Sequence, residues 1–424
     1  MTKVALIGGG KMGLPLACQI ARRGAEVVVC DIDAAAVDRM NHGVCGFDEP
    51  DLPELLAAMV AAGRLRATTA TTPAVRDADV VVVIVPVLLT AELRPDLSVI
   101  ESVTRDIAAG LRRGTMVSYE TTLPVGTTRR LVDILETSGL QAGADFDVVY
   151  SPERVKSRLV LQRLTENPKV VGGLTPAAAE RAVSFYGAHL GAPATNVGSL
   201  EAAELVKLAG MIYRDVNIAL SNELAGYAEA CGVDFAPVLH AANTDGEANL
   251  LTPGIGVGGH CTPVYPRFLL EDARHRGVPA KLTSAARCIN DAQPGNVLDR
   301  VEREWGCLSG REAMILGLGF RPQVKEHVCS PAFTLRAELA LRGARPKLHD
   351  PLYDACEIRA LGFEPGSLQE RDGERAPEVL VLNTAHAEYV DLDFSDLARR
   401  GVRLAVDGRG LWSAEQVRAA GVAY

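Results

Sequence analysis

The chain has 424 residues, 48% of them hydrophobic and 23% charged, which is enough for two or three domains that each bury a core. Its formal net charge of −9, without any Lys/Arg-rich run, excludes nucleic acid or an anionic membrane surface as an electrostatic partner, so any phosphate site must be local. The nine scattered cysteines are odd in number and form no C-x-x-C pair, which argues against a disulfide framework or structural zinc and for a reducing, cytoplasmic setting. No metal site is expected, nor a signal peptide, because the first apolar residues, 4–7, run at once into glycines, nor a membrane span, because no stretch approaches the roughly 18 unbroken apolar residues a span requires.

Residues 3–7 form a short apolar run of strand type. Gly8-Gly9-Gly10-Lys11-Met12-Gly13 follows, then a helix-periodic segment over 14–23 closed by Gly24. A second strand at 26–30 ends in Asp31, eighteen residues past Gly13 and close to the spacing of an acid that binds an adenosine ribose. Strand, glycine turn, helix and acid together predict a pyrophosphate seated on a helix N-terminus. Asp31 would repel a 2′-phosphate, so NAD is expected rather than NADP. Residues 78–86 are continuously apolar and β-branched, as in a parallel strand buried on both faces, and 115–119 and 146–150 read as further strands of the same sheet. Ligands of open α/β sheets bind at the carboxyl ends of strands. Glu120, Thr121, Thr122 and Glu153 are therefore either site residues or ordinary caps and turn formers.

From 199 to 231 the pattern becomes one long helix. Ser199 can cap it, Glu201 and Glu204 suit its positive end, and Gly232 stops it. Lys207, Met211 and Arg214 share a face of this helix, where the two cations either lie along the surface or meet a ligand. More helix is expected at 235–242 and 280–292, making the middle of the chain a natural dimer interface. Between the last two helices lies Thr252-Pro-Gly-Ile-Gly-Val-Gly-Gly-His-Cys-Thr-Pro-Val-Tyr-Pro266, whose glycines and prolines fit neither helix nor strand. As a loop it would either bring backbone amides against a phosphate, with Cys261 beside the bound anion, or be a turn holding an inert thiol.

A polar link at 305–311 precedes a second α/β unit. Its strands are expected at 313–316, 345–349, 378–382 and 403–406, and Gly317-Leu-Gly319 is half a nucleotide fingerprint. The predicted fold is α/β: two Rossmann-like doubly wound domains joined by a central long-helix region. Its parts are 1–198, an NAD-binding domain; 199–305, a dimerisation region carrying the cysteine loop; and 306–424, a second Rossmann-like domain, to which the resemblance given next assigns sugar-nucleotide binding.

In order along nearly the whole chain, these segments resemble the UDP-glucose/GDP-mannose dehydrogenase family. They include Glu120-Thr-Thr-Leu-Pro-Val-Gly-Thr-Thr128, Ser151-Pro-Glu153, Asn167-Pro-Lys-Val-Val-Gly-Gly173, Glu204-Leu-Val-Lys207, 253–263, Gly317-Leu-Gly-Phe-Arg321 and Asp407-Gly-Arg409. The segment Tyr213-Arg-Asp-Val-Asn-Ile-Ala-Leu-Ser-Asn-Glu223 looks most like the branch that acts on UDP-N-acetylmannosamine. The resemblance implies oxidation of a sugar C6 alcohol to a carboxylate with two NAD, for polysaccharide or glycoside biosynthesis. Cys261 would be the nucleophile, giving a thiohemiacetal and then a thioester, and Lys207, Thr122 and Glu153 would be its catalytic partners. A nearby cation or the amide nest should lower the Cys261 pKa. Gly8, Gly10, Lys11, Met12, Gly13, Asp31, Pro86 and Thr122 would hold NAD. Glu153, Arg154, Lys207 and Arg214 would meet the sugar nucleotide, with Gly254, Gly256, Gly258 and Gly259 from the loop and Arg321 and Arg409 from the last domain. Arg321 stands where relatives usually have lysine.

Four positions depart from the pattern. Met211 replaces an asparagine, Tyr265 an aspartate that holds water, and Glu247 and Val328 replace arginines. Three functions stay open on these grounds: a four-electron nucleotide-sugar 6-dehydrogenase, a diverged enzyme performing a single two-electron or redox-neutral reaction, and a non-catalytic nucleotide-binding protein.

Overall fold

The computed structural model describes residues 1–369 and 376–424. The chain divides into two compact units, Met1–Gly210 with Arg267–Val278, and Met211–Pro266 with Pro279–Tyr424.

In the first unit eight strands form one sheet: β1 (Lys3–Ile7), β2 (Glu26–Cys30), β3 (Leu65–Thr68), β4 (Val80–Val83), β5 (Met116–Tyr119), β6 (Asp147–Tyr150), β7 (Lys169–Gly173) and β8 (Ala194–Ser199), in spatial order β8-β7-β6-β5-β4-β1-β2-β3. All neighbours are parallel except β6 and β7. The four valines of β4 are buried, as a β-branched run between two helical layers must be, each contributing roughly 1.5–3 kcal/mol by burial. Register aligns Cys30, Ile7, Val83, Tyr119 and Tyr150 in one row across the sheet. The residues that follow them, Asp31, Gly8, Ile84, Glu120 and Ser151, therefore leave the sheet along a single edge.

Helix α1 (Gly13–Arg22) starts at the last fingerprint glycine and packs its buried face on this sheet. Helix α2 (Thr127–Leu135) follows the loop after β5. Helix α3 (Pro176–Leu190) is capped by the Thr175 hydroxyl and covers the sheet with Ala178, Ala182 and Tyr186. The long helix α4 (Leu200–Ala230) belongs to both units. Ser199 caps it as expected, its hydroxyl accepting the Ala202 N–H at 3.1 Å. Glu201 lies in its first turn as expected and also pairs with Arg129, whereas Glu204 caps α2 instead.

In the second unit α5 (Phe235–Ala242) and α6 (Tyr265–His275, which passes into the first unit) flank the loop that carries Cys261. Helix α7 (Lys281–Glu304) runs well past the expected end at 292, straight through Pro294. An interior proline costs about 3 kcal/mol, but the extra turns bury Leu298 and Val301, which offsets it. Helix α8 (Pro331–Leu341) is capped by Ser330. The second sheet is wholly parallel, with β9 (Glu312–Leu316), β10 (Arg345–His349), β11 (Glu364–Pro365), β12 (Val379–Leu382) and β13 (Leu404–Asp407) in the order β11-β10-β9-β12-β13. Chain direction and order are those of a doubly wound unit. Leu316, His349, Leu382 and Asp407 share one row, so Gly317, Asp350, Asn383 and Gly408 emerge together. Among the described residues no helix is long and apolar enough to cross a membrane.

Candidate active site

The three fingerprint glycines are glycine for three different reasons. Gly8 turns the chain with φ +108°, and a β-carbon there would lie 2.6 Å from the Ile84 carbonyl oxygen. At Gly13 a β-carbon would come within 1.9 Å of the Gly8 carbonyl oxygen, so only glycine lets α1 begin this close to β1. Gly10 meets nothing within 4 Å, leaving its backbone open to a ligand. Asp31 is held beside this turn: one carboxylate oxygen accepts the Gly9 N–H at 2.8 Å and the other the Asp33 N–H at 3.0 Å. Lys11 and Pro86 are exposed along the same edge, Met12 precedes the first turn of α1, and Thr122 is buried after β5. This cradle fits a dinucleotide, with a tight turn, an open amide and an anchored acid.

Farther along the edge, Lys207 projects from the second turn of α4. It is 5% exposed, its ammonium donates to the Glu153 carbonyl oxygen, and it lies 3.4 Å from the Glu153 carboxylate. The alternative of a lysine lying along the surface is thus set aside for Lys207, while Arg214 farther along α4 is exposed. The Glu153 N–H donates to the Glu120 carbonyl oxygen at 3.3 Å, which ties the two loops after β5 and β6 together. Glu120 itself is not available to a ligand. Its buried carboxylate pairs with Lys169 and accepts the Tyr186 hydroxyl at 2.7 Å, and the Lys169 ammonium lies 4.9 Å from the centre of the Tyr186 ring. Burial beside this carboxylate pushes the Tyr186 phenol well above its ordinary range. Arg154 turns to the Pro168 carbonyl oxygen.

In the second unit the glycines of the cysteine loop are required by protein packing. A β-carbon at Gly254 would lie 2.9 Å from an Arg409 nitrogen, at Gly256 2.8 Å from Pro331, at Gly258 2.5 Å from Phe320, and at Gly259 2.8 Å from the Phe320 ring. Ile255 N–H donates to the Gly408 carbonyl oxygen at 3.1 Å and Gly259 N–H to that of Val328 at 2.9 Å. Cys261 accepts the Tyr265 N–H at 2.9 Å on its own carbonyl, so the thiol follows a loop pressed on the second sheet's edge and immediately precedes α6. Arg321 is partly buried next to Phe320. Arg409 donates to the Asn383 carbonyl oxygen at 2.6 Å, and burial pulls its guanidinium down to about 10, Asp407 acting in the opposite direction. Glu247 is exposed, its N–H turned to Asp245.

The second sheet repeats the turn of the first, but closed. Gly8 N–H meets Cys30 O and Gly317 N–H meets His349 O, both at 2.8 Å. Asp350 takes the place of Asp31 and accepts the Leu318 N–H at 2.6 Å. Its carboxylate lies 3.3 Å from His386 Nε2, with both side chains fully buried. Leu318 is buried too, and α8 starts only at Pro331.

Models of three successive domains match the sequence: the NAD binding domain of the UDP-glucose/GDP-mannose dehydrogenase family over residues 2–189, its central domain over 201–292 and its UDP binding domain over 314–414. The chain belongs to the UDP-glucose/GDP-mannose dehydrogenase family. It is 35% identical over 427 residues to an NDP-N-acetyl-D-galactosaminuronic acid dehydrogenase of Ralstonia nicotianae, covering 98% of this chain and 97% of that one. A UDP-N-acetyl-D-mannosamine dehydrogenase of Escherichia coli is 32% identical over 435 residues, covering 96% and 99%. Among solved structures, a UDP-D-ManNAc dehydrogenase from Pyrococcus horikoshii superposes with a TM-score of 0.88 at 29% identity, over 97% of this chain and 96% of that one. The protein is thus an NAD-dependent oxidoreductase of nucleotide sugars, built on the expected α/β fold.

Within this family frame, two sets of residues escaped the sequence reading. Lys169 stood in a quoted motif but without a role and Tyr186 was not singled out, because a β7 lysine and an α3 tyrosine that together immobilise Glu120 meet only through the sheet. Phe320, against which two loop glycines pack, stood in a quoted motif but as a neighbour of Arg321 rather than for its ring.

Proposed function

We propose that the chain oxidises the C6 alcohol of a UDP-hexose-type substrate to the uronic acid through covalent attachment to Cys261, an acidic product suited to polysaccharide or glycoside assembly. The observation that carries this reading is Lys207, buried and held against Glu153 at the strand edge where the open Gly10 amide also lies. Bound NAD supplies the hydride acceptor. Gly8, Gly10 and Gly13 would bring the pyrophosphate to the start of α1, Asp31 would take the ribose hydroxyls, and Ile32, 98% exposed beside it, would offer an apolar face to the adenine. Lys11, Met12, Pro86 and Thr122 complete the cofactor side.

In the proposed sequence Lys207 accepts or relays the C6 hydroxyl proton as the first hydride leaves, giving an aldehyde. The Cys261 thiolate adds to the aldehyde carbon, forming a C–S bond, and the resulting alkoxide is stabilised by the Lys207 ammonium. Loss of the second hydride from the same carbon yields a thioester. Water positioned by Thr122 and Glu153 attacks its carbonyl, the C–S bond breaks, and the thiolate is regenerated with release of the carboxylate. Arg154, Arg214, Arg321 and Arg409 would hold the diphosphate and uridine, with Gly254, Gly256, Gly258 and Gly259 forming the rim. The domain parts 1–198, 199–305 and 306–424 divide these tasks.

A second reading, a single two-electron oxidation, is favoured by Met211 and Tyr265, which supply no carboxylate or amide where the acid-forming steps would use one. NADH formed per sugar nucleotide consumed separates them, across UDP-glucose, UDP-N-acetylglucosamine, UDP-N-acetylmannosamine, UDP-N-acetylgalactosamine and GDP-mannose. Two NADH per sugar, lost on Cys261→Ser, supports the covalent four-electron route; one NADH with no carboxylate product supports the arrested one.

The chain is further proposed to form a homodimer. Tyr213, Leu220 and Tyr227, seven residues apart on α4, are 55%, 44% and 70% exposed and form a stripe that a second copy would cover. Leu220→Asp should yield monomers in sedimentation.

A further inference from the structure

The segment 249–254, which leads into the cysteine loop, has no regular secondary structure, so its backbone groups need partners from elsewhere. Asparagine side chains supply them. Asn243 exchanges both hydrogen bonds with Leu250, at 2.8 and 3.0 Å. Asn217 accepts the Leu251 N–H at 2.8 Å and donates to the Asn249 carbonyl oxygen at 2.6 Å. Asn222 accepts the Gly254 N–H at 2.9 Å.

Asn222 differs from the others in what lies behind it. Its amide donates to Asn290 Oδ1 at 3.0 Å, and the Asn290 amide donates to the Asp215 carboxylate at 2.8 Å and the Asp215 carbonyl oxygen at 2.9 Å. Arg287 holds that same carboxylate at 2.5 Å. The side chains of Asp215, Arg287, Asn290 and Asn222 are all buried. The polarity of this chain is fixed at both ends, because the Gly254 N–H can only donate and the Asp215 oxygens only accept. Each amide therefore has one permitted orientation, and a relay spanning α4 and α7 ends on the first glycine of the loop.

We propose that Asn222 is a positioning residue for the Cys261 thiol, acting through Gly254. This rests on the reading that Cys261 is the nucleophile. Gly254 is followed by Ile255 and Gly259, whose N–H groups bond the Gly408 and Val328 carbonyl oxygens, and a β-carbon at Gly256, Gly258 or Gly259 would meet Pro331 or Phe320, so a displaced Gly254 would pull on a loop that is seated by close backbone approach. Asn222→Asp keeps the acceptor for Gly254 but puts a second acceptor against Asn290 Oδ1, and only a protonated aspartate restores the donor.

The test is the rate of Cys261 alkylation by iodoacetamide, resolved by peptide mass spectrometry, alongside kcat and KM, in wild type and Asn222→Asp. Cys231 and Cys356 are exposed and report full reactivity, whereas burial pushes the Cys18 and Cys30 thiols up to about 12 and keeps them silent. The expected result is a loss of about tenfold in Cys261 alkylation and in kcat, with KM for NAD changed less than about twofold. The ratio of variant to wild type should recover as pH falls from about 8 to about 6, as the new carboxyl takes up a proton. Asp215, Arg287 and Asp291, the charged groups along the relay, are common to both proteins and cancel in that ratio. Unchanged alkylation overturns the proposal, as does a loss independent of pH and equal to that of Asn222→Ala. Where the aspartate variant does not fold, Asn222→Ser should show the same selective loss without recovery, and unchanged alkylation in it counts against the proposal. Cys261→Ser separates the two readings: acid formation surviving there removes the thiol from the chemistry, while the alkylation ratio still reports whether Asn222 places it.

Discussion

The Glu204 carboxylate, on α4, accepts both the backbone N–H of Thr128 at 2.8 Å and its hydroxyl at 2.7 Å, and so closes the N-terminus of a different helix, α2. A third bond comes from the Gly126 N–H at 2.5 Å. Burial pushes this carboxyl up to about 7, and the three hydrogen bonds offset only part of that rise. In the unfolded chain it ionises near the ordinary 4.5. Between these values the folded protein keeps a proton that the unfolded chain has released. The stability it contributes is full below 4.5 and is lost as pH rises to 7, on the order of 3 kcal/mol across the window. Thermal melts of wild type should show that decline, and Glu204→Gln should flatten it.

Lys207 is buried against Glu153, so its replacement leaves a carboxylate without its cation. Lys207→Met should lower kcat by about 100-fold or more, the usual weight of a positioned proton-transfer group, with a smaller effect on KM for NAD. Steady-state NADH formation measures both.

Asp31 is fixed by two amides, and on the proposed cofactor placement its charge would meet a 2′-phosphate. Asp31→Ser should raise KM for NAD by about tenfold and narrow the preference over NADP by at least as much, consistent with losing a charge-assisted hydrogen bond. Initial rates with the two cofactors check this.

Gly258→Ala would place a β-carbon 2.5 Å from Phe320, and a core side chain forced aside costs about 1–3 kcal/mol. Activity should fall at least tenfold, and Phe320→Leu should not rescue it, because the close contact is with the β-carbon that leucine keeps. Gly187, inside α3, meets nothing within 4 Å, so Gly187→Ala should stabilise the first unit by up to about 0.8 kcal/mol. Melting curves of the two variants should move in opposite directions.

The strands and turns that shape both sheet edges were legible because their signals are local. Valines in unbroken runs, a fingerprint with its acid and paired glycines each state their structure within a few residues. The end of α7 was not, because Pro294 reads as a stop and only the core contacts of Leu298 and Val301 carry the helix through it. The edge strands β3 and β8 carry few buried residues, and β7, inside the sheet, has only two valines between a lysine and two glycines, so their apolar pattern is faint. Glu204 shows the general difficulty. Its position in the first turns of α4 suggested service to that helix, and only the packing of α2 reveals the stronger claim on its carboxylate. The same is true of the relay behind Asn222, whose members lie as far apart in sequence as Asp215 and Asn290.

The second sheet reproduces the glycine turn of the first but fills the acid's place from within, Asp350 being spent on Leu318 and His386. Among the described residues, one chain therefore offers a single open turn of this kind for a dinucleotide. On the proposed four-electron route, removing two hydrides from one sugar would become a matter of timing: reduced cofactor would have to depart and a fresh molecule arrive while the half-oxidised sugar waits. The proposed tether to the sugar would have to outlast that exchange, and an enzyme built this way would guard against early escape of its intermediate as much as it would speed each transfer.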